Sequence, residues 1–435
     1  MQAVERPLHE LTDAPAPLVR LSADAAYDCA MNLVFIGMFL ALCGLEVAKR
    51  LYLGGSVIWT LHSAGFRTNA PLMVLFVVHW RRAGGGAERF GLIAAALAVT
   101  AVFATIFAGS FASHLSLVGL ALVHASILVN VGCMIRERGI SPERLRAMRD
   151  AWFVPMVVLL STPMIDLSSS FGPLRDANIF LFEGLLGIRP EAAVHLLIAA
   201  VPSGHAAMEW IYGATAAVFA VPLLTRRARS NPLTLAMVGV GLFGYGCYML
   251  CPAVGTFIAG YDRSLWPAAP IGPLNFDVPG VFAGVPRNCV PSIHAACAYL
   301  LIFNAWRFAP RLRRALVVFG MLTLLSAIEI GLHWAADLLV ALPFTFATMA
   351  LTETEPGLVF RIRAPIIAAG YGLTFAWALA LRGDWLWRTH SSALAWSAVA
   401  LTLAASVLLK WRLDYALGRR SALFKSAAPV TAATA

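Results

Sequence analysis

Charge is scarce in this sequence. Only 13% of its 435 residues are Asp, Glu, Lys or Arg, against 60% hydrophobic residues. A water-soluble fold cannot bury that much apolar surface, so lipid is the expected solvent. Cysteine is thin as well: seven residues with no Cys-x-x-Cys pair. That spacing argues against a structural metal site and a disulfide framework, with a Cys251–Cys289 pair at the outer face as the one alternative. The first 26 residues are polar and include Glu5, Glu10, Asp13 and Asp24. A basic segment leading into an apolar core is missing there, so no cleavable signal peptide is expected. Short alternating segments of the barrel type are also lacking. What recurs instead are apolar runs close to the ~20 residues that a helix needs to cross hydrocarbon.

These runs fall at 28–47, 65–80, 90–109, 114–134, 152–170, 206–224, 232–250, 291–306, 315–331, 333–350, 364–381 and 391–409. They predict an all-α, polytopic transmembrane helical bundle of 12 spans. A net charge of +10 would suit a nucleic acid if the cations shared one surface. They are dispersed instead. Clusters occur at Arg81, Arg82 and Arg89; at Arg136 to Arg149; at Arg226 to Arg229; at Arg307 to Arg314; at Arg361 and Arg363; and at Lys410 to Arg420. Each follows every second span, the pattern of the positive-inside bias. The expectation is a multi-pass protein of a bacterial-type inner membrane, with both termini cytoplasmic and no nucleic-acid partner. Lys49, Arg50 and Arg67 run against that pattern and make the first two spans the least determined.

The polar residues divide the chain. Residues 1–135 form an N-terminal membrane region of four spans with little polarity inside them. Residues 136–151 form a basic cytoplasmic connector. Residues 152–350 carry six spans and nearly all the chemistry-bearing side chains, and 351–435 add two spans and a small-residue tail. The longest outer connections lie at 164–205 and 253–290. Connections of such length commonly carry function.

Two segments stand out, "VPRNCVPSIHAACAYL" at 285–300 and "SAIEIGLHWAADLLVALPF" at 326–344. His294 opens one span from the outer side. Gly331 breaks the returning span, and His333 opens the next from the same side. The two histidines are 39 residues apart, which fits one hairpin. Asp337 follows His333 by four residues, one helical turn, so their side chains stack. A carboxylate on one ring nitrogen fixes the tautomer and raises the basicity of the other. His333 then suits attack on phosphorus, and His294 suits protonation of the leaving oxygen. Ser292 and the helix-start amides suit phosphoryl oxygens, since helix N-termini favour anions. Histidines at span ends also sit at the membrane interface with no chemical duty. It is the conjunction with the carboxylate and with Pro291-Ser292 that points to catalysis.

These residues resemble the type 2 phosphatidic acid phosphatase superfamily, with its Pro-Ser-Gly-His and Ser-Arg-x5-His-x3-Asp motifs. Ser326 lies seven residues before His333, as the second motif requires. Ile293 stands at the glycine position, Ala327 stands at the arginine position, and no convincing Lys-x6-Arg-Pro motif precedes them. The departures, with "YMLCPAVGTF" and "HWAADLLVALPF", look like the inositol phosphorylceramide synthase branch. The resemblance covers 152–350 and implies a six-helix core. It implies transfer of a phosphoryl-headgroup from a donor phospholipid to a lipid hydroxyl through a phosphohistidine, with no cofactor and no metal. Hydrolysis of phosphatidate or polyprenyl pyrophosphate is the alternative. A transporter or silent scaffold is a further one, for which paired polar residues should gather at mid-membrane rather than at one face. In place of the missing arginine, Arg287 and then Arg263 are the candidate phosphoryl cations, because developing charge needs a donor. Glu329, an acid at membrane depth one turn before His333, joins them as a substrate-binding candidate. Asp166, Asp176 and Glu183 are weaker candidates for a polyol headgroup, while His79, His124 and His195 are read as interfacial or packing residues.

A second tetrapeptide, in "AVPSGHAAMEW" at 200–210, is the perfect one. The position 39 residues after His205 is Gly244, in an apolar span without histidine. This copy is therefore expected to start a helix structurally, with a headgroup contact from His205 and Glu209 as the alternative.

Overall fold

A computed structural model describes residues 86–106, 111–139, 174–218, 232–256, 290–353, 360–383 and 389–418, with isolated positions at 33–85 and 144–168. Every regular element among the described residues is helical. Numbered in chain order, α1 is Gly86–Ile106, α2 Phe111–Glu137, α3 Asp176–Leu185, α4 Pro190–Ala199, α5 Gly204–Val218 and α6 Pro232–Leu250. Then come α7 Ile293–Asn304, a 3-10 turn Ala305–Arg307, α8 Pro310–Glu329, α9 Ala335–Thr352, α10 Phe360–Arg382 and α11 Ser392–Ala416.

Four of these helices are long and apolar enough to cross a membrane: Pro232–Leu250, Ala335–Thr352, Arg361–Arg382 and Ser392–Ala416. Their burial differs sharply. In α9 78% of the apolar window is buried, against 22% in α11. The first is thus a central post and the second a peripheral one, with Leu401, Val407 and Leu408 turned outward. In lipid an outward leucine needs no cover, since helices there are apolar all round.

The sequence expectation of a full span at 291–306 meets a shorter helix. With 12 residues, α7 rises about 18 Å, well under the ~30 Å of hydrocarbon. The central packing unit is α6, α7, α8 and α9. Leu233, Val240, Ala296, Leu300, Phe344 and Phe346 interlock in it as one apolar cluster. Small residues let α6 and α7 approach closely. A Cβ on Gly244 would lie 2.6 Å from Ile293 Cγ1, so the isoleucine fills the space over that glycine. The departure at the tetrapeptide's third position is accommodated from the facing helix.

The two ends of this unit differ in chemistry. At one end Arg307 donates from Nη2 to Glu353 Oε2 at 2.6 Å, tying the end of α7 to the end of α9. Arg311, Arg313 and Arg314 open α8 beside it. At the other end stand Ser292, His294 and His333. In the N-terminal pair, Arg144 from the connector donates to Glu88 on α1 and to Glu137 on α2, both at 2.9 Å.

Candidate active site

The turn from α8 to α9 places His333. Helix α8 ends at Glu329, and Gly331 follows with φ of 71°, a left-handed conformation that suits glycine. Ahead of α9, the Trp334 amide donates to Asp337 Oδ2 at 2.9 Å, so Asp337 caps its own helix. The same Oδ2 lies 3.4 Å from His333 Nδ1, and both side chains are fully buried. That separation is an ion-pair distance, slightly longer than a good N–H···O bond. A carboxylate on the Nδ1 side favours the tautomer with the proton on Nδ1 and the lone pair on Nε2.

Helix α7 supplies the second histidine. Ser292 is its N-cap, with Oγ accepting from the Ala295 amide at 3.1 Å. The Ser292 amide donates to the Asp337 carbonyl at 3.3 Å, which stitches the start of α7 onto α9. Both contacts give Ser292 a structural duty beside the phosphoryl-binding role expected for it. The His294 and His333 ring centroids are 6.0 Å apart. The structure therefore brings His294, His333, Asp337 and Ser292 into one place.

A third ring completes the group. Tyr212 of α5 stacks on His294 with centroids 3.8 Å apart and planes 21° apart. Its hydroxyl is 3.1 Å from His333 Nε2. Sequence reasoning missed Tyr212. The only signal was indirect: it lies seven residues after His205, two turns along the same helix face.

Glu329 is placed differently from expectation. It is paired with histidines rather than exposed for a substrate: His195 Nδ1 is 3.2 Å from its Oε2, and His205 Nδ1 is 3.0 Å from its Oε1. His205 Nε2 also approaches Glu209 Oε1 at 3.3 Å. Glu329 thus joins α4 and α5 to the end of α8, and His195 is a polar partner of Glu329 rather than packing alone. Among the described residues, no group of three or more His, Cys, Asp or Glu is arranged to hold a metal. The perfect tetrapeptide serves the same joint. A Cβ on Gly204 would meet the Ile198 carbonyl oxygen at 2.5 Å, so only glycine lets α5 start this close to α4.

Behind the site lies a carboxylate hub. Asp176, wholly buried, accepts the Val254 amide at 3.1 Å, the Gly255 amide at 3.0 Å and Trp334 Nε1 at 2.9 Å. Gly255 has φ of 87°, and a Cβ there would lie 2.4 Å from the Leu332 carbonyl carbon. Glu183 accepts the Ala336 amide at 2.8 Å, and Glu191 accepts the Ala335 amide at 3.1 Å. The start of α9 is therefore satisfied by protein carboxylates. Asp176 and Glu183, read from the sequence as headgroup candidates, hold the turn ahead of α9 through these bonds. Burial pushes the Asp176 carboxyl up to about 6, against the pull of the Trp334, Val254 and Gly255 donors. Burial, then the neighbouring Glu191, raises Glu183 well above the ordinary range. Arg189 shares a small cavity with Glu183, Glu191 and Trp334. Arg263, Arg287 and Asp166 lie outside the described residues.

Apolar helices long enough to cross a membrane carry two histidines and a carboxylate that converge at one end of the helix unit. Residues 177–351 match a sequence model of the PAP2 superfamily. The matched segment contains Tyr212, His294, His333, Asp337 and the Glu329 joint. It points to phosphatase or phosphotransferase activity on lipid phosphates. No curated protein and no solved structure matches the chain.

Proposed function

We propose that this protein is a lipid phosphotransferase that moves a phosphoryl-headgroup from a donor phospholipid to a lipid hydroxyl. The observation that carries the reading is the buried His333–Asp337 pair, with His294 on the neighbouring helix at a ring separation of 6.0 Å. His333 Nε2 attacks phosphorus and forms an N–P bond. The P–O bond to the diacylglycerol breaks, and the departing oxygen takes a proton from His294. The acceptor hydroxyl then attacks the phosphohistidine, gives its proton to His294 and releases His333. Asp337 holds the imidazole in the needed tautomer and stabilises its positive charge. Arg287 and Arg263 remain the candidates to neutralise the phosphoryl oxygens. The site is assigned to the non-cytoplasmic face, because the arginines that open α8 mark the opposite end of the bundle as cytoplasmic. Phosphoinositol and ceramide are the headgroup and acceptor that the sequence resemblance implies.

The test is acceptor dependence. Purified protein in lipid nanodiscs receives headgroup-labelled phosphatidylinositol or another phospholipid, with and without ceramide or diacylglycerol. Label is expected on the acceptor lipid only when acceptor is supplied, and His333→Ala should abolish it. Free phosphate released from phosphatidate regardless of acceptor assigns the chain to the phosphatases instead. Turnover that survives His333→Ala overturns both.

A further inference from the structure

The hydroxyl of Tyr212 sits on the nitrogen that the proposed reaction uses. Asp337 faces Nδ1 of His333, which leaves Nε2 as nucleophile, and the phenol oxygen is 3.1 Å from it. A phosphorus poised for attack lies about 3–3.5 Å from its nucleophile. The phenol therefore stands in the shell that the phosphoryl group must enter. Its ring has little freedom to leave, since it is stacked on His294 and α5 is tied to Glu329 through His205. The position that holds an arginine in the resembling motif is Ala327 here, fully buried and unable to donate.

We propose that Tyr212 is a substrate-facing catalytic residue, whose hydroxyl donates to His333 Nε2 in the resting site and transfers that hydrogen bond to a non-bridging phosphoryl oxygen as phosphorus reaches the nitrogen. This rests on the phosphotransferase reading. No bond to the phenol forms or breaks, and its proton stays on oxygen. The donor is fixed before charge develops, which is the condition under which such a hydrogen bond accelerates reaction most. The perfect tetrapeptide acquires a role through this residue: Gly204 and His205 place the helix that presents the phenol.

Tyr212→Phe keeps the stack and removes one oxygen. Its kcat is expected to fall about 10²-fold, the scale of a lost oxyanion donor, with KM within about twofold and the melting temperature within 2 °C, roughly the shift of a surface change. A purely structural tyrosine would leave kcat intact in Tyr212→Phe and lose it only in Tyr212→Ala. That result overturns the proposal. Two readouts do not need turnover. Orthovanadate, a phosphoryl-transfer mimic, should quench Trp334-side tryptophan fluorescence in wild type and bind about 10-fold more weakly to Tyr212→Phe, as expected for one lost donor. Nitrogen-15 histidine NMR of the wild type should find His333 Nε2 unprotonated at rest and shifted by vanadate; a proton on Nε2 at rest refutes the resting half. Vanadate binding that depends on Tyr212, without any lipid turnover, retains the phosphoryl contact of the phenol and overturns its catalytic role together with the transferase reading. Equal vanadate affinity in the two proteins sinks the inference alone.

Discussion

Replacing Asp176 tests whether the turn that carries His333 is held from behind. Its carboxylate gathers the Val254 amide, the Gly255 amide and Trp334 Nε1, all inside the protein. In Asp176→Ala these three donors are left buried with no acceptor, each costing about 1–3 kcal/mol, so the loss is roughly 3–6 kcal/mol after partial relaxation. For a cooperative unit of this size that is a fall of roughly 10 °C or more in melting temperature. Asp176→Asn keeps an acceptor oxygen and removes the buried charge, so its loss should be about 1 kcal/mol near neutral pH. The charge has its own signature. Burial raises the carboxyl from 3.8 to about 6 in the folded protein. The folded state therefore holds the proton more tightly than the unfolded chain. Stability from this group is fully present below pH 3.8 and is lost as pH rises through about 6. The difference amounts to about 3 kcal/mol across that window. Thermal unfolding in detergent between pH 4 and 8 reads both effects, by tryptophan fluorescence and circular dichroism. Wild type should melt progressively lower across the window, and Asp176→Asn should lack that part of the slope. An Asp176→Ala protein that melts within 2 °C of wild type would refute the hub, since roughly 1 kcal/mol is then all it contributes.

Further outcomes follow from the same geometry. Asp337→Asn should lower kcat by roughly 10³-fold or more, because the amide no longer selects the tautomer that leaves Nε2 free; a loss under tenfold in single-turnover kinetics counts against the pairing. Glu329→Gln should lower the melting temperature and kcat together while KM stays within about twofold, because it loosens α4 and α5 rather than a substrate contact. A large rise in KM alone would return Glu329 to the substrate. Gly244→Ala should cost about 1–3 kcal/mol by overpacking against Ile293, and adding Ile293→Ala should recover most of it. Failure of that rescue in thermal melts would mean that the two helices do not meet there.

The parts of this site that could be read from the letters are those within one helix or one hairpin. His333 and Asp337 are a turn apart, and the 39-residue interval to His294 is the length of a hairpin. Glycine at 331 and the Pro291-Ser292 start are local signals with local causes. Tyr212, Asp176 and the Glu329 joint are contacts across 78 to 158 residues, and no local pattern announces them. Periodicity does not help in these helices, since in lipid the outward face is as apolar as the inward one and the moment vanishes. The length of α7 was hidden for the same reason: the apolar letters continue past Asn304, where the backbone tightens into a 3-10 turn. Asp176 and Glu183 looked available for a ligand because they sit in a connection. Most of their partners are backbone amides, which every residue but proline possesses and no sequence displays.

The contact between Ile293 and Gly244 changes how such a tetrapeptide should be recognised. Two backbones must come close where α6 crosses the start of α7, and one side chain has to be missing for them to do so. Here the vacancy is on α6. The third letter of the motif is therefore one half of a two-position constraint, and its identity is set only jointly with a residue 49 places upstream. A scan that demands glycine in the motif discards this hairpin. A scan that asks for one small residue between the two facing positions retains it, and it would also admit chains that carry the small residue on either helix.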